Sequence, residues 1–482
     1  MPEIRKIKSK GQQILSLALI GGLIYLAVLW LWPTVFHFNP QYLVENSSLK
    51  NKTFSGTVQE IISPKLKLKA YLYEEHTNPI VSISFLFKES GTAYETQNLI
   101  GSATLLASML KKGAGPYSMT NFNEQLEENA IHLNFSADKD NFSGSLLFIK
   151  NDIEKAVKLT NLALTRPKLE EKFLSLSKND VRQKYKYMLE DPNAYLNIVA
   201  NEKLFSDHPY HRSIHSEINN ILHRTSNDLR EYAKKYLTRD KLIVSISGDI
   251  SENEAAKLVD SLFVSVPETS PLSDLKRAKI DINSPDEHIR RKISQSIGMF
   301  YGLGVARQDD RFYPLLLAME VLCGGGGLNS RIQKAARANQ GLTYGVYGSL
   351  ANLDKADLLY GRFSTTPENF YTLKQIVRKE WEKLGIHGIS AEELQQVKDY
   401  MIASEPLRYA DIDNISATMT GMQKMNLGLD FLQKRNTYID NINLEDVNLV
   451  AKEYFTPQNL RFISIGDSDK MGVEKKNENS AD

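Results

Sequence analysis

Ile80 to Phe87 reads IVSISFLF, apolar residues alternating with serine, and predicts a half-buried strand. A helical pattern follows from about Thr96 to Lys112, closed by Gly113. Asn121 to Asn129 also has helical spacing, and a second strand starts at His132. A long charged helix is predicted over about 169–189, stopping before Asp191-Pro192. Strands and helices alternate in both halves of the chain, so the expected class is α+β, with helices packed on a sheet in each half.

The stretch 324–350 reads GGGGLNSRIQKAARANQGLTYGVYGSL. Its glycines allow torsions that a Cβ forbids. Asn329 or Ser330 is placed to cap a short helix through Ala338, and Asn339-Gln340-Gly341 stops it. Leu342 to Tyr347 alternates and is aromatic, a predicted strand. This pattern projects Arg331 from the first helical turn and Tyr344 from the strand. A phosphate loop needs Lys and Ser/Thr after its last glycine, where Leu328-Asn329 stand instead. The plainer alternative is a glycine-rich turn packing helix on sheet.

An internal repeat organises the rest. Ala233–Asp249 (AKKYLTRDKLIVSISGD) and Ala451–Asp467 (AKEYFTPQNLRFISIGD) align without a gap, seven of seventeen residues identical. Each reads as a helix end, a turn and a buried strand closing on Gly-Asp. Two related domains follow, residues 58–265 and 294–468, joined by an exposed linker over 266–293 and trailed by a polar tail, 469–482.

Ile14 to Trp32 runs nineteen residues without a charge, roughly 28 Å as helix and close to a bilayer core. Arg5, Lys6, Lys8 and Lys10 precede it, and no Lys or Arg follows until Lys50. Residues 1–36 therefore predict a basic cytoplasmic tail and an uncleaved anchor, 37–57 a juxtamembrane linker, and a body beyond the membrane. A cleaved signal peptide is the rival, but Trp-Leu-Trp-Pro is a poor cleavage site. Across the 482 residues, 59 basic side chains balance 58 acidic ones, so nothing points to nucleic acid. The single cysteine, Cys323, excludes an intrachain disulfide framework and a multi-cysteine zinc site.

The chain resembles the pitrilysin/insulinase (inverted-zincin) family, closest to its processing-peptidase type. The resemblance rests on GSATLLASMLKKG at 101–113, LFSDHPYH at 204–211, the two Gly-Asp strand ends and the Arg331/Tyr344 stretch, in this order and spacing. It implies two homologous domains forming half of a clam-shell chamber. Active members carry H-x-x-E-H on the first-domain helix, two histidines binding zinc and a glutamate polarising water. Aligned on Gly101, Met109-Leu110 and Lys112-Gly113, those positions hold Thr104, Ala107 and Ser108. The later glutamate ligand falls on Lys184, eight residues before Pro192. A protonated lysine cannot coordinate zinc. The expectation is no metal, no cofactor and no catalytic residue in this chain, and no activity alone. His208, His211 and His215 have the best metal-like spacing, but Pro209 breaks regular helix there and His-Pro-Tyr is a structural turn in the family.

In two-component members the zinc-free subunit keeps an Arg/Tyr pair that holds the substrate backbone, and the resemblance assigns this to Arg331 and Tyr344. Read from the residues alone, Arg331 forming a salt bridge and Tyr344 packing stays open. The expected protein is a membrane-anchored, periplasm-facing pseudo-peptidase, partner of a zinc-bearing homologue and holder of peptide. The alternatives are a stand-alone peptide-binding or chaperone-like protein, or a zinc peptidase using another metal site.

Overall fold

The computed structural model describes residues 54–470, apart from 55, 213, 270–274, 325–329, 339–341, 344 and 410. The apolar run 14–32 lies outside them. Among the described residues no helix is long and apolar enough to cross a membrane.

The Ile/Ser alternation of β3 (Ile80–Phe87) decides the first sheet. Val81, Ile83, Phe85 and Phe87 point into a helix-covered core, while Ser82 and Ser84 point to the other face. β1 (Val58–Ile62), β2 (Lys69–Glu74), β4 (His132–Ala137), β5 (Phe142–Ile149) and β6 (Leu242–Gly248) complete it in the order β1-β2-β6-β3-β5-β4. Its core is closed by α1 (Ser102–Met109), α2 (Met119–Glu128), α3 (Ile153–Thr165), α4 (Glu171–Glu190), α6 (Ile214–His223), α7 (Ser226–Tyr236) and α8 (Glu252–Phe263). α5 (Pro192–Leu204) goes elsewhere.

β7 (Glu287–Arg290), β8 (Ser296–Leu303), β9 (Val346–Leu353), β10 (Ala356–Thr365) and β11 (Arg461–Gly466) build the second sheet, in the order β7-β11-β8-β10-β9. Apart from β1 this repeats the first. β6 and β11, the strands of the sequence repeat, each pair parallel to one neighbour and antiparallel to the other. Both repeats reach their strand through a helix end and a 3-10 turn. Even a packing device recurs: Phe85 lies over Gly144 in one sheet and Phe300 over Gly361 in the other, rings filling the space a Cβ would take. α9 (Phe312–Cys323), α10 (Arg331–Ala338), α11 (Phe370–His387), α12 (Ala391–Ala403), α14 (Phe431–Asp440) and α15 (Leu444–Tyr454) belong to this half. Trp381 of α11 is fully buried in its core.

The two halves exchange helices. α13 (Ile412–Lys424) lies across the serine face of the first sheet. Ser416 Oγ is 2.9 Å from Ser82 Oγ, and Gln423 Nε2 donates to the Val244 carbonyl at 2.6 Å and to Ser245 Oγ at 2.8 Å. In return α5 lays Leu196, Val199, Ala200 and Leu204 against Met299, Tyr301, Ile463 and Ile465 of the second sheet.

Three expectations need correction. The pattern 96–112 is not one helix: Gly101, at φ 88°, breaks it, and only Ser102–Met109 is α-helical. The strand expected from Leu342 starts at Val346, because Thr343 Oγ1 closes a turn with the Gly345 amide and, with the Leu342 carbonyl, is held by side-chain bonds to Ser364 and Thr365 instead. The linker is not simply exposed. It supplies edge strand β7, buries Ile282 and ties Arg277 to Asp357.

Candidate functional site

α1 starts where a buried carboxylate tells it to. Glu95 accepts from the backbone amides of Gly101 at 2.8 Å and Ala103 at 2.7 Å, the orphan donors of a helix N-terminus. Arg212 sits 3.5 Å from the same carboxylate and donates to the Thr92 and Glu95 carbonyls. Burial pushes Glu95 up to about 7, against the pull of the two amides and of Arg212. Burial also raises Glu217, although the Tyr185 hydroxyl, Arg212 and Lys139 oppose it. Lys139, donating to the Tyr210 carbonyl, is pushed down to about 8 by burial.

Of the aligned zinc positions, only Thr104 approaches this cluster. Tyr185 of α4 donates to Glu217 Oε2 at 2.9 Å, and the nearby Thr104 side chain eases the rise that burial imposes on its hydroxyl. Ser108 Oγ donates back to the Leu105 carbonyl of its own helix at 2.7 Å. Ala107 offers only a methyl group, and Lys184 is exposed on α4. Thr104 is thus the one of the four that neighbours the Tyr185–Glu217 pair. These residues do not fit zinc: no imidazole is present, and no step of metal hydrolysis is supported here. Among the described residues no three His, Cys, Asp or Glu side chains form a group able to hold a metal ion.

His208 is structural. Its Nε2 meets the Lys276 carbonyl at 3.0 Å and its Nδ1 accepts from the Tyr210 amide, capping the turn Pro209–His211. Tyr210 in turn bonds Asp140 and receives the Lys355 amide, and Asp140 receives the Asp354 amide, so the β9–β10 turn docks here.

Arg331 does not present a free guanidinium. Its Nε and Nη2 grip both oxygens of Glu393 at 2.7 Å, and Nη2 also donates to the Gly388 carbonyl at 2.8 Å. It fastens α10 to the α11–α12 corner. Tyr344 lies outside the described residues, so its meeting with Arg331 is not seen. Its neighbours are held to the end of β10, Thr343 Oγ1 donating to the Ser364 carbonyl at 2.6 Å and Thr365 to the Leu342 carbonyl.

Two features escaped sequence reasoning. The Glu95–Arg212–Glu217–Tyr185 cluster joins three distant segments and leaves no local signal. Arg362 did leave one: along β10, Leu358, Tyr360, Arg362 and Ser364 share a face, an unusual run for a buried sheet.

Two topologically matching sheets, each packed with helices, define a duplicated α+β protein, and its helix Ser102–Met109 carries no histidine or carboxylate. The chain belongs to the insulinase family, peptidase family M16. Residues 69–217 match its Insulinase (Peptidase family M16) domain and 224–401 its Peptidase M16 inactive domain. The non-peptidase homolog YmxG of Helicobacter pylori is 24% identical over 420 residues, 86% of this chain and 95% of that protein. The mitochondrial-processing peptidase subunit beta of Dictyostelium discoideum is 20% identical, over 84% of this chain and 89% of its own. A peptidase M16 inactive domain from Pseudomonas fluorescens has the same fold, with a TM-score of 0.78 at 21% identity over 87% of this chain and 99% of that one.

Proposed function

We propose that this chain is a non-catalytic subunit that pairs with a zinc-bearing homologue and holds peptide while the partner cleaves it. One observation carries the reading: the four aligned positions hold Thr104, Ala107, Ser108 and Lys184, with no imidazole or carboxylate among them, and Ser108 Oγ turns back to its own helix. The similarity to a processing-peptidase subunit supports the pairing. In this reading Tyr344 supplies a hydroxyl donor to the peptide backbone. Arg331 acts on the same stretch as a positioning residue, holding α10 through Glu393. Residues 14–32 anchor the subunit, with the N-terminus cytoplasmic and the body outside, in the periplasm of a Gram-negative cell.

The test is turnover by the reconstituted complex. Tyr344→Phe removes one donor and little volume, so assembly and melting temperature should hold. Turnover should fall roughly 5- to 150-fold, the effect of about 1–3 kcal/mol. Arg331→Ala and Glu393→Gln should resemble one another, both lowering the melting temperature. Unchanged turnover by the Tyr344→Phe complex would refute the holding role. For topology, a reporter fused after Asp482 should work only outside the cytoplasm; activity inside would overturn the anchor.

A further inference from the structure

The inner face of the second sheet is only partly covered. α5 seals it over Met299, Tyr301, Ile463 and Ile465. Strand register carries the same face onward: Tyr360 stands opposite Tyr301 and Ser349, and Arg362 opposite Met299 and Tyr347. Here the cover ends. Tyr347 is 53% exposed and Tyr360 36%. Arg362 lies between them, half-buried, with no hydrogen-bond or ion-pair partner among the described residues. Its charge reaches the neighbouring Tyr301 hydroxyl, easing the upward push of burial there.

The matching face of the first sheet shows that the fold does not require this. There Ser82, Ser84, Ser143, Ser145, Ser245 and Ser247 share the face, and α13 lies across part of it. A guanidinium on a mid-sheet strand, flanked by phenol rings, keeps a planar fork of donors but loses part of its water. The group that complements it is a carboxylate, taken two-pronged, with phenol hydroxyls as added donors. The patch also adjoins the glycine-rich stretch. The Tyr347 hydroxyl leans back over Gly345, 2.5 Å from where a Cβ would stand. A peptide held beside that stretch would run onto Arg362.

We propose that Arg362, between Tyr347 and Tyr360, is a carboxylate-recognition site for the held peptide, its ligand an Asp or Glu side chain or a C-terminal carboxylate. The proposal rests on the peptide-holding reading and names the substrate class. It is tested by fluorescence anisotropy on the purified full chain with three labelled extended peptides. One has internal Asp/Glu and an amidated end, one has Asn/Gln with the same end, and one has Asn/Gln with a free C-terminus. A carboxylate-bearing peptide should bind roughly 10- to 100-fold tighter than the neutral one. Arg362→Gln should abolish that preference without changing the neutral peptide's affinity, and Arg362→Lys should restore part of it. The peptide that gains shows whether side chain or terminus is read. If all three bind alike and Arg362→Gln changes none, the carboxylate site is overturned while peptide holding stands. If none binds, either to the chain alone or to the reconstituted complex, peptide holding by this chain falls, and the site with it.

Discussion

Glu95 shows how much of this protein's behaviour can hang on one side chain. It anchors the first turn of α1 and is raised from 4.5 to about 7 by burial. In the unfolded chain it titrates at the ordinary value, so between these limits the native state binds the extra proton. The contribution is present below about 4.5 and lost as pH rises through about 7. Wild type should therefore lose ground to Glu95→Gln across that window, whatever fixed offset the substitution brings. Melting temperatures of both proteins from pH 4.5 to 8 check this; a constant difference would show that the carboxyl does not titrate there. Lys139 acts in a separate window with the opposite trend. Its folded value of about 8 lies below the ordinary 10.5, so its penalty fades as pH rises between the two.

At the scale of elements, what could be read from the sequence was what neighbours in sequence determine. The Ile/Ser alternation of β3 separates its two faces without further information, and the repeated helix–turn–strand identifies β6 and β11 as equivalents. An apolar periodicity that runs straight through Gly101 overstates the length of α1. Only a carboxylate six residues upstream shows where the helix begins. The resemblance places the zinc positions at 104, 107, 108 and 184, but says nothing of what surrounds those residues. Tyr185, Glu217 and Arg212 lie on different elements, and nothing in their spacing announces a common site. Arg331 illustrates the same limit: a cation in a helix's first turn can be offered to a ligand or spent on a distant carboxylate. Glu393, 62 residues on, decides for the latter. An apolar helix face likewise declares that it is covered, but not by which sheet, so neither α5 nor α13 could be assigned to the opposite half.

For the whole molecule that exchange means the two halves are not independent bodies. Cutting the chain within 270–274 leaves the first fragment with sheet β1–β6 uncovered by α13, and the second with Met299, Tyr301, Ile463 and Ile465 stripped of α5. Exposing such an apolar set costs several kcal/mol, comparable to a domain's whole stability. Neither fragment should unfold cooperatively by itself, and co-expression should recover a stable complex. A first fragment that melts sharply alone, near the intact protein's temperature, would show that the exchange is dispensable.

The serine face has a consequence in time. A ribosome finishes β6 at Gly248, but α13 starts only at Ile412, 412 − 248 = 164 residues later. At about 5–20 residues per second, the nascent first sheet waits roughly ten to thirty seconds without that helix. An aliphatic face left bare for so long would invite aggregation. Hydroxyls can stay hydrated through the delay and then accept α13 through hydrogen bonds such as Ser82 to Ser416. The slowest-arriving partner meets the face best able to wait for it.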